Sequence, residues 1–535
     1  MLHVDKVSFL ISFIIASTTV HADTITLAPG SDIQSAVDGL EHGDVVQLEP
    51  GVYEIQTTLQ LGRKAIQFNG AVDESGNPIS ILDGGNTSRI VEWGIPSDPD
   101  QPPAQGNELM VFANLVFTAG HASGHGGAMA LRNEESPLTS QGGSWDLLIH
   151  NCIFRQNHAD LGGGAVHVSG PAPLFQQCLF LENGSHDRLH GGGAVYSNLS
   201  FCDYVDCVFR DNEARHHGGA IRSLGGFDEF GSCVFESNQA GGDGGAICRD
   251  FLGSTTYLED CRFSANRSGR HGGHLFIRGL MGFMDDCLLE GGIAAVSGGA
   301  VYLDSSIVTD IQDCQFVDNQ ALAGEGGAMY LDSRFTNEEE PFRVKRCSFE
   351  GNRAVTGGAI LNHFSDGLYS QSTFSGNTAT NGPGGASHHL TSDCTYRDCE
   401  FTGNESSSAG GALSFVGATA VPLVRNCLIA GNLAPSGGGI SNVDSQITIW
   451  NSTICSNQIG QLDPGTGWSD AGGNTIRGNC NCRADFDGNG TVDAADLGFM
   501  LQAWGQNVPE CDFDGDGNVG AADLGLFFAD WGVCE

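Results

Sequence analysis

Two acidic stretches near the C-terminus carry the densest chemistry in the sequence. Residues 485–496 read DFDGNGTVDAAD and residues 512–523 read DFDGDGNVGAAD. Oxygen ligands at loop positions 1, 3, 5 and 12, with glycine at 6 for the turn, are the pattern of EF-hand-type Ca²⁺ loops. The first loop offers Asp485, Asp487, Asn489, the carbonyl of Thr491, Asp493 through a water, and Asp496. The second offers Asp512, Asp514, Asp516, the carbonyl of Asn518, and Asp523, with Gly520 leaving position 9 to solvent. Carboxylates this crowded repel one another unless a hard cation neutralises them, so Ca²⁺ is the expected cofactor.

A second group could do acid–base chemistry. His125, His217 and His271 each stand immediately before a Gly-Gly pair, and Asp243 takes that place between the last two. Arg188, Arg215 and Arg270 lie in the corresponding turns. If those turns stack, His217, Asp243 and His271 form one exposed column, a candidate catalytic site or a cradle for a carboxylated sugar or a metal. Gly162, Ser297, Glu325 and Thr356 occupy the same place elsewhere, which is what an ordinary solvated turn would also show.

The elements that must position these residues come from a repeat. Cys-x-Phe-x-x-Asn starts at Cys152, Cys178, Cys207, Cys233, Cys261, Cys314, Cys347 and Cys399, with degenerate copies from Leu115, Cys287, Ser372, Cys427 and Ser452. The steps are mostly about 25–29 residues, within the range of solenoid repeats. A Gly-Gly pair follows most copies, as at Gly126-Gly127, Gly218-Gly219, Gly244-Gly245 and Gly410-Gly411. Each unit holds two short strand-like pieces and cannot bury its own apolar face, so stacked units must share a core. The pattern predicts an all-β parallel β-helix with the phenylalanines stacked inside. The asparagines are expected at turns, satisfying backbone groups and tolerating left-handed φ, and the glycine pairs at tight corners.

Eighteen cysteines in an exported chain would ordinarily suggest disulfides. Most sit in the repeat column, where Leu115, Ser372 and Ser452 replace them, so they are expected as buried free thiols. Cys202 and Cys394 stand outside the column and are the bridge candidates there. Cys480, Cys482, Cys511 and Cys534 surround the acidic loops, where a local disulfide is expected.

A formal charge of −40, from 24 basic and 64 acidic residues, argues against nucleic acid and anionic membranes as partners. Lys6, the apolar run from Val7 to Ala16 and Val20-His21-Ala22 read as a signal peptide over residues 1–22. No later segment reads as transmembrane. The expected location is therefore secreted, extracellular or at the surface of a bacterial cell.

From Ser31 to Leu40 the sequence predicts a short capped helix, followed over 44–53 by strand, turn and strand. This section resembles the N-terminal cap of pectin-lyase-like right-handed β-helix proteins. The Phe-x-x-Asn and Gly-Gly-Ala-Ile repeats resemble those of chlamydial polymorphic outer membrane proteins, without the autotransporter barrel that ends those chains. Each acidic loop is followed by an apolar segment, Leu497–Trp504 and Leu524–Trp531, ending in Trp-Gly. Duplicated loop-plus-helix units with Asp at position 12 resemble dockerin type I modules. That resemblance implies a cohesin-like protein or cell-surface receptor as partner. Ala494-Ala495 and Ala521-Ala522 depart from the Ser-Thr of cellulosomal members, which argues against a conventional cellulosomal cohesin. Gly124-His125-Gly126 resembles the Gly-His-Gly of polygalacturonases, but the Asp pairs and basic motif of that family have no counterpart.

The expected organisation is a signal peptide over 1–22 and a β-helix over 23–460, with its cap and first coils over 23–110 and repeats over 111–460. A linker over 461–483 leads to a small helical, EF-hand-like dockerin module over 484–535. The expected function is polysaccharide binding or adhesion, attached to a partner through that module. The alternative is a polysaccharide lyase or O-glycosyl hydrolase with a site on the turns.

Overall fold

The computed structural model describes residues 22–94, 109–132, 147–304, 307–332, 341–417, 421–463, 467–478, 483–487 and 491–533. They are mostly β and build about 13 turns of solenoid together with a small helical C-terminal region. The chain divides into two compact units, Met1–Thr309 and Asp310–Glu535.

In the first unit a short helix, Ile33–Asp38, precedes the coils; the Asp32 side chain caps it by accepting from the Ser35 amide, and Gly39 ends it. The strands of each following coil fall in three sheets and pair in parallel with their counterparts on the neighbouring coil. Ile153–Arg155, Leu179–Leu181, Val208–Arg210 and Val234–Glu236 align Phe154, Phe180, Phe209 and Phe235 in register. Their rings stack face to face at 4.6–4.9 Å, the spacing of adjacent strands. The second unit repeats the stack through Phe316, Phe349, Phe374 and Phe401 at 4.7–4.8 Å.

The asparagines form a buried ladder. Asn183 Nδ2 donates to the Phe154 carbonyl and to Asn212 Oδ1, while the Asn183 amide donates to that same oxygen. Asn212 and Asn238 repeat the arrangement one coil on. Each side chain therefore satisfies backbone groups that have left the sheet at the corner, as buried polar groups require. The left-handed conformation falls elsewhere: Gln156, Glu182, Asp211, Ser237 and Ala265, each just before its asparagine, take φ of 53–56°. These residues face solvent, so the ladder asparagine is kept for its bonds and its neighbour makes the bend.

The glycine pairs allow the close corner. Gly218 adopts φ 66°, and a Cβ on Gly219 would stand 2.0 Å from the Gly245 carbonyl oxygen. The column cysteines are buried free thiols, and so are Cys202, Cys394 and Cys511. Cys202 forms no bridge because Asp228, not a cysteine, lies beside it on the next coil. A disulfide is formed by Cys455, which lies three residues after the column position Ser452, level with Ala430 of the preceding coil, and which the spacing did not single out. Cys480, Cys482 and Cys534 lie outside the described residues.

Candidate metal loops and histidine turn

Each acidic loop is tied shut by its last aspartate. Asp496 Oδ1 accepts from the amides of Phe486 (2.7 Å) and Asp487 (3.1 Å), and its Oδ2 from the Asp493 amide (2.9 Å). Asp523 does the same with Phe513 (2.6 Å), Asp514 (3.0 Å) and Gly520 (2.7 Å). Within the second loop Asp512 accepts from Gly515, Asp516 and Gly517, and Gly517 takes φ 93° at the sixth position, where a side chain would be strained.

The ligand-capable oxygens of Asp485, Asp487 and Asp496 lie within 4.8 Å of one another, as do those of Asp512, Asp514 and Asp516. Asp485 and Asp496 are fully buried. Clustered, partly buried carboxylates supply an all-oxygen donor set that fits a hard cation. Asp514 shows the repulsion: its bond from the Asp516 amide favours the carboxylate, yet burial and the charges of Asp516, Asp523 and Asp512 raise its pKa. Thr491 begins a short strand and Asn518 sits at the same place in the second loop, each with a backbone carbonyl to offer. Asp493 is engaged as a helix cap on the Ala495 amide, and Asn489 lies outside the described residues.

Helices Ala494–Gln502 and Ala521–Ala529 follow the loops. Thr491–Val492 pairs antiparallel with Gly532–Val533, and Val519 exchanges bonds with Gly505 and Gln506. Each loop thus pairs with the segment after the other helix, a two-fold arrangement closed over Val492, Met500, Phe513, Val519 and Phe527. Outside that core, Phe499, Leu501 and Trp504 are 44–53% exposed, and their duplicates Leu526, Phe528 and Trp531 are 45–49% exposed.

On the solenoid, His217, Asp243 and His271 do stand on consecutive coils: the Gly218 amide donates to the Asp243 carbonyl and the Gly244 amide to that of His271. The column is not exposed as expected, because His217 is 8% and Asp243 5% accessible. His216 and the next coil's turn cover them, the two adjacent histidine rings lying 3.6 Å apart. His217 Nδ1 accepts from the Asp243 amide at 3.0 Å and lies 3.2 Å from its Oδ2. Burial pushes the Asp243 carboxyl up, but the His217 contact and the Arg270 and His271 charges outweigh it and hold it low. Arg270 approaches at 3.4 Å and the His271 amide at 3.1 Å; Arg188 and Arg215 point to solvent.

A denser cluster, which also combines His, Asp and Arg, lies on the coils just before it. His167 and Tyr196 are in-register neighbours on one sheet face. His125 stacks over both, at 4.7 Å from His167 and 5.0 Å from Tyr196, and His190 meets His125 edge-on at 4.7 Å. Asp187 bonds His190 Nδ1, and Arg222 donates to the carbonyls of Leu189 and His190, fixing the turn. Burial, then the neighbouring histidine charges, push His125 down to about 4 and His167 down to about 3, so both are neutral at pH 7. Neutral imidazoles beside an Asp–His pair can accept and relay protons. His167 was missed because it sits away from the glycine pairs; His190 does precede glycines, but Gly191-Gly192-Gly193 sets it one residue before the position of His217, and that glycine run was its signal in the sequence.

Residues 232–248 match the Chlamydia polymorphic membrane protein repeat. No curated protein matches the chain. Among solved structures, a Geobacillus virus E2 protein is similar over 76% of this chain and 65% of its own length, at 12% identity and a TM-score of 0.36. The A-module of an Azotobacter vinelandii mannuronan C-5 epimerase is similar over 83% and 94%, at 12% identity and a TM-score of 0.34. A mannuronic acid specific family 6 polysaccharide lyase from human gut microbiota is similar over 80% and 86%, at 12% identity and a TM-score of 0.37. Among the described residues no helix is long and apolar enough to cross a membrane.

Proposed function

We propose that this chain is an exported polysaccharide-binding β-helix, its coils right-handed, held at the cell surface or to another secreted protein by its C-terminal module. In this reading Ca²⁺ occupies both acidic loops, and residues 484–535 act as a dockerin-like plug for a cohesin-like protein or cell-surface receptor. The observation that carries it is the duplicated set of exposed side chains on a calcium-type scaffold, Phe499, Leu501 and Trp504 with Leu526, Phe528 and Trp531. Large apolar side chains exposed at both halves of so small a core are the mark of an interaction surface. The coils would then be the cargo that meets polysaccharide.

A second reading, a polysaccharide lyase or glycoside hydrolase, is favoured by one observation: the His190–Asp187 pair beside neutral His125 and His167. The test is a panel of polysaccharides, with and without Ca²⁺, following both retention and new chain ends. Retention without new chain ends supports the binding reading. New chain ends that disappear in His190→Ala move the assignment to an enzyme. Neither retention nor cleavage on any polymer sinks both.

A further inference from the structure

Four consecutive coils of the first unit depart from the repeat. In each, one strand of 11–13 residues, Val195–Val205, Ile221–Gly231, Ile247–Glu259 or Leu275–Asp285, replaces two shorter strands of the same sheet, such as Val166–Ser169 and Pro173–Gln176 on the coil before. The outward face of this widened sheet carries one aromatic ring per coil. Phe201 and Phe227 lie in register with ring centroids 6.2 Å apart, as do Tyr257 and Phe283 at 4.8 Å; Tyr257 stands two residues along from the register partner of Phe227, and those two rings are 4.9 Å apart. All four are half-exposed, and Leu199 and Phe251 beside them are 43% and 48% exposed.

We propose that this row is a binding surface for a neutral polysaccharide chain. The proposal rests on the polysaccharide-binding reading above and deepens it by naming the surface and the ligand class. Three features carry it. The rings follow the coil axis at close to the coil repeat, which suits a linear, repeating occupant. Tyr257 lies over the space a side chain at 282 would fill: a Cβ on Gly282 would stand 2.2 Å from its Cε1. The missing side chain leaves the ring room to lie against the backbone of the next coil, and the ring remains partly exposed for stacking on a sugar ring. Finally, Asp203, Glu229, Glu259 and Asp285 each follow a ring by two residues and share its outward face. A border of carboxylates accepts hydrogen bonds from hydroxyl groups and repels uronates, so it selects an uncharged, polyhydroxylated chain. The overall charge of −40 acts in the same direction.

The test uses the full chain in affinity electrophoresis against neutral and uronate-containing polysaccharides. Wild type is expected to bind a neutral polymer, Phe227→Ala with Tyr257→Ala at least tenfold more weakly, and Tyr257→Phe nearly as well as wild type. Gly282→Ala keeps every ring but lifts Tyr257, and is expected to bind at least threefold more weakly. The two routes differ, so a folding failure in one variant leaves the other informative, and thermal unfolding of each identifies such a failure. Wild-type affinity in both would overturn this surface while leaving polysaccharide binding in place. A preference for uronate polymers would overturn the neutral class, and no binding to any polymer would remove the reading underneath.

Discussion

The asparagine ladder and the acidic loops solve the same problem, burying polar groups, in opposite ways. In the ladder each Asn183-type side chain meets neutral donors and acceptors on the adjacent coils, so the chain completes itself. In the loops the buried groups are carboxylates: Asp485 and Asp496 have no accessible surface, and the neighbouring amides satisfy only part of their charge. One region is stabilised by its own repetition, while the other gathers carboxylates that could bind a metal. Stability of the solenoid should therefore depend on register and that of residues 484–535 on a metal.

Asp485→Ala with Asp512→Ala removes the first ligand of each loop and is expected to abolish all Ca²⁺-dependent stabilisation of residues 484–535. The unfolding transition of the solenoid should stay where it is. Calorimetry with and without chelator decides it, and a double mutant that titrates Ca²⁺ like wild type would break the comparison. Asn238→Ala should act only on the other side. It strips the acceptor from the Asn212 amide and side chain and the donor from the Phe209 carbonyl, all buried. A loss of about 3 kcal/mol is expected in denaturant unfolding, with Ca²⁺ titration unchanged.

Acid should weaken the first unit before it touches the ladder. His125 and His167 are held at about 4 and about 3 against an ordinary 6.5, so between pH 6.5 and 4 the unfolded chain binds protons that the folded chain refuses. Stability then falls as pH falls through that window and is fully present above it. The unfolding midpoint measured from pH 7 to pH 4 should drop, and His167→Phe should flatten the slope. A pH-independent midpoint would return these histidines to a fully hydrated setting. The smallest effect is expected for Cys207→Ser, below about 1 kcal/mol, since the column accepts serine elsewhere. Ser372 and Ser452 stand in it, each accepting a bond from the preceding coil's cysteine amide.

Much of the solenoid could be read from spacing because a repeat states the same instruction many times. Phe154, Phe180 and Phe209 recur at one position, and any stacking that keeps them inside brings the asparagines and glycine pairs into columns. The clustering of the acidic residues was legible for a related reason: they lie within one short loop, and local backbone geometry brings Asp485, Asp487 and Asp496 together, as it does Asp512, Asp514 and Asp516. Accessibility was not legible. His217 and Asp243 were expected in solvent because turns usually are, yet the turns on adjacent coils cover them.

What the amino-acid order determined by itself was the period, the residues that face inward, and the two local acidic clusters. Each depends on neighbours within one coil or one turn. The tertiary structure alone decided which histidines meet: His125, His167 and His190 come from three coils, and only the register between strands brings their rings within 5 Å. It also decided that Cys202 faces Asp228 and that Tyr257 lies across Gly282. Such contacts depend on the few residues by which successive coils differ in length, and a one-residue change in that length would place different side chains opposite one another.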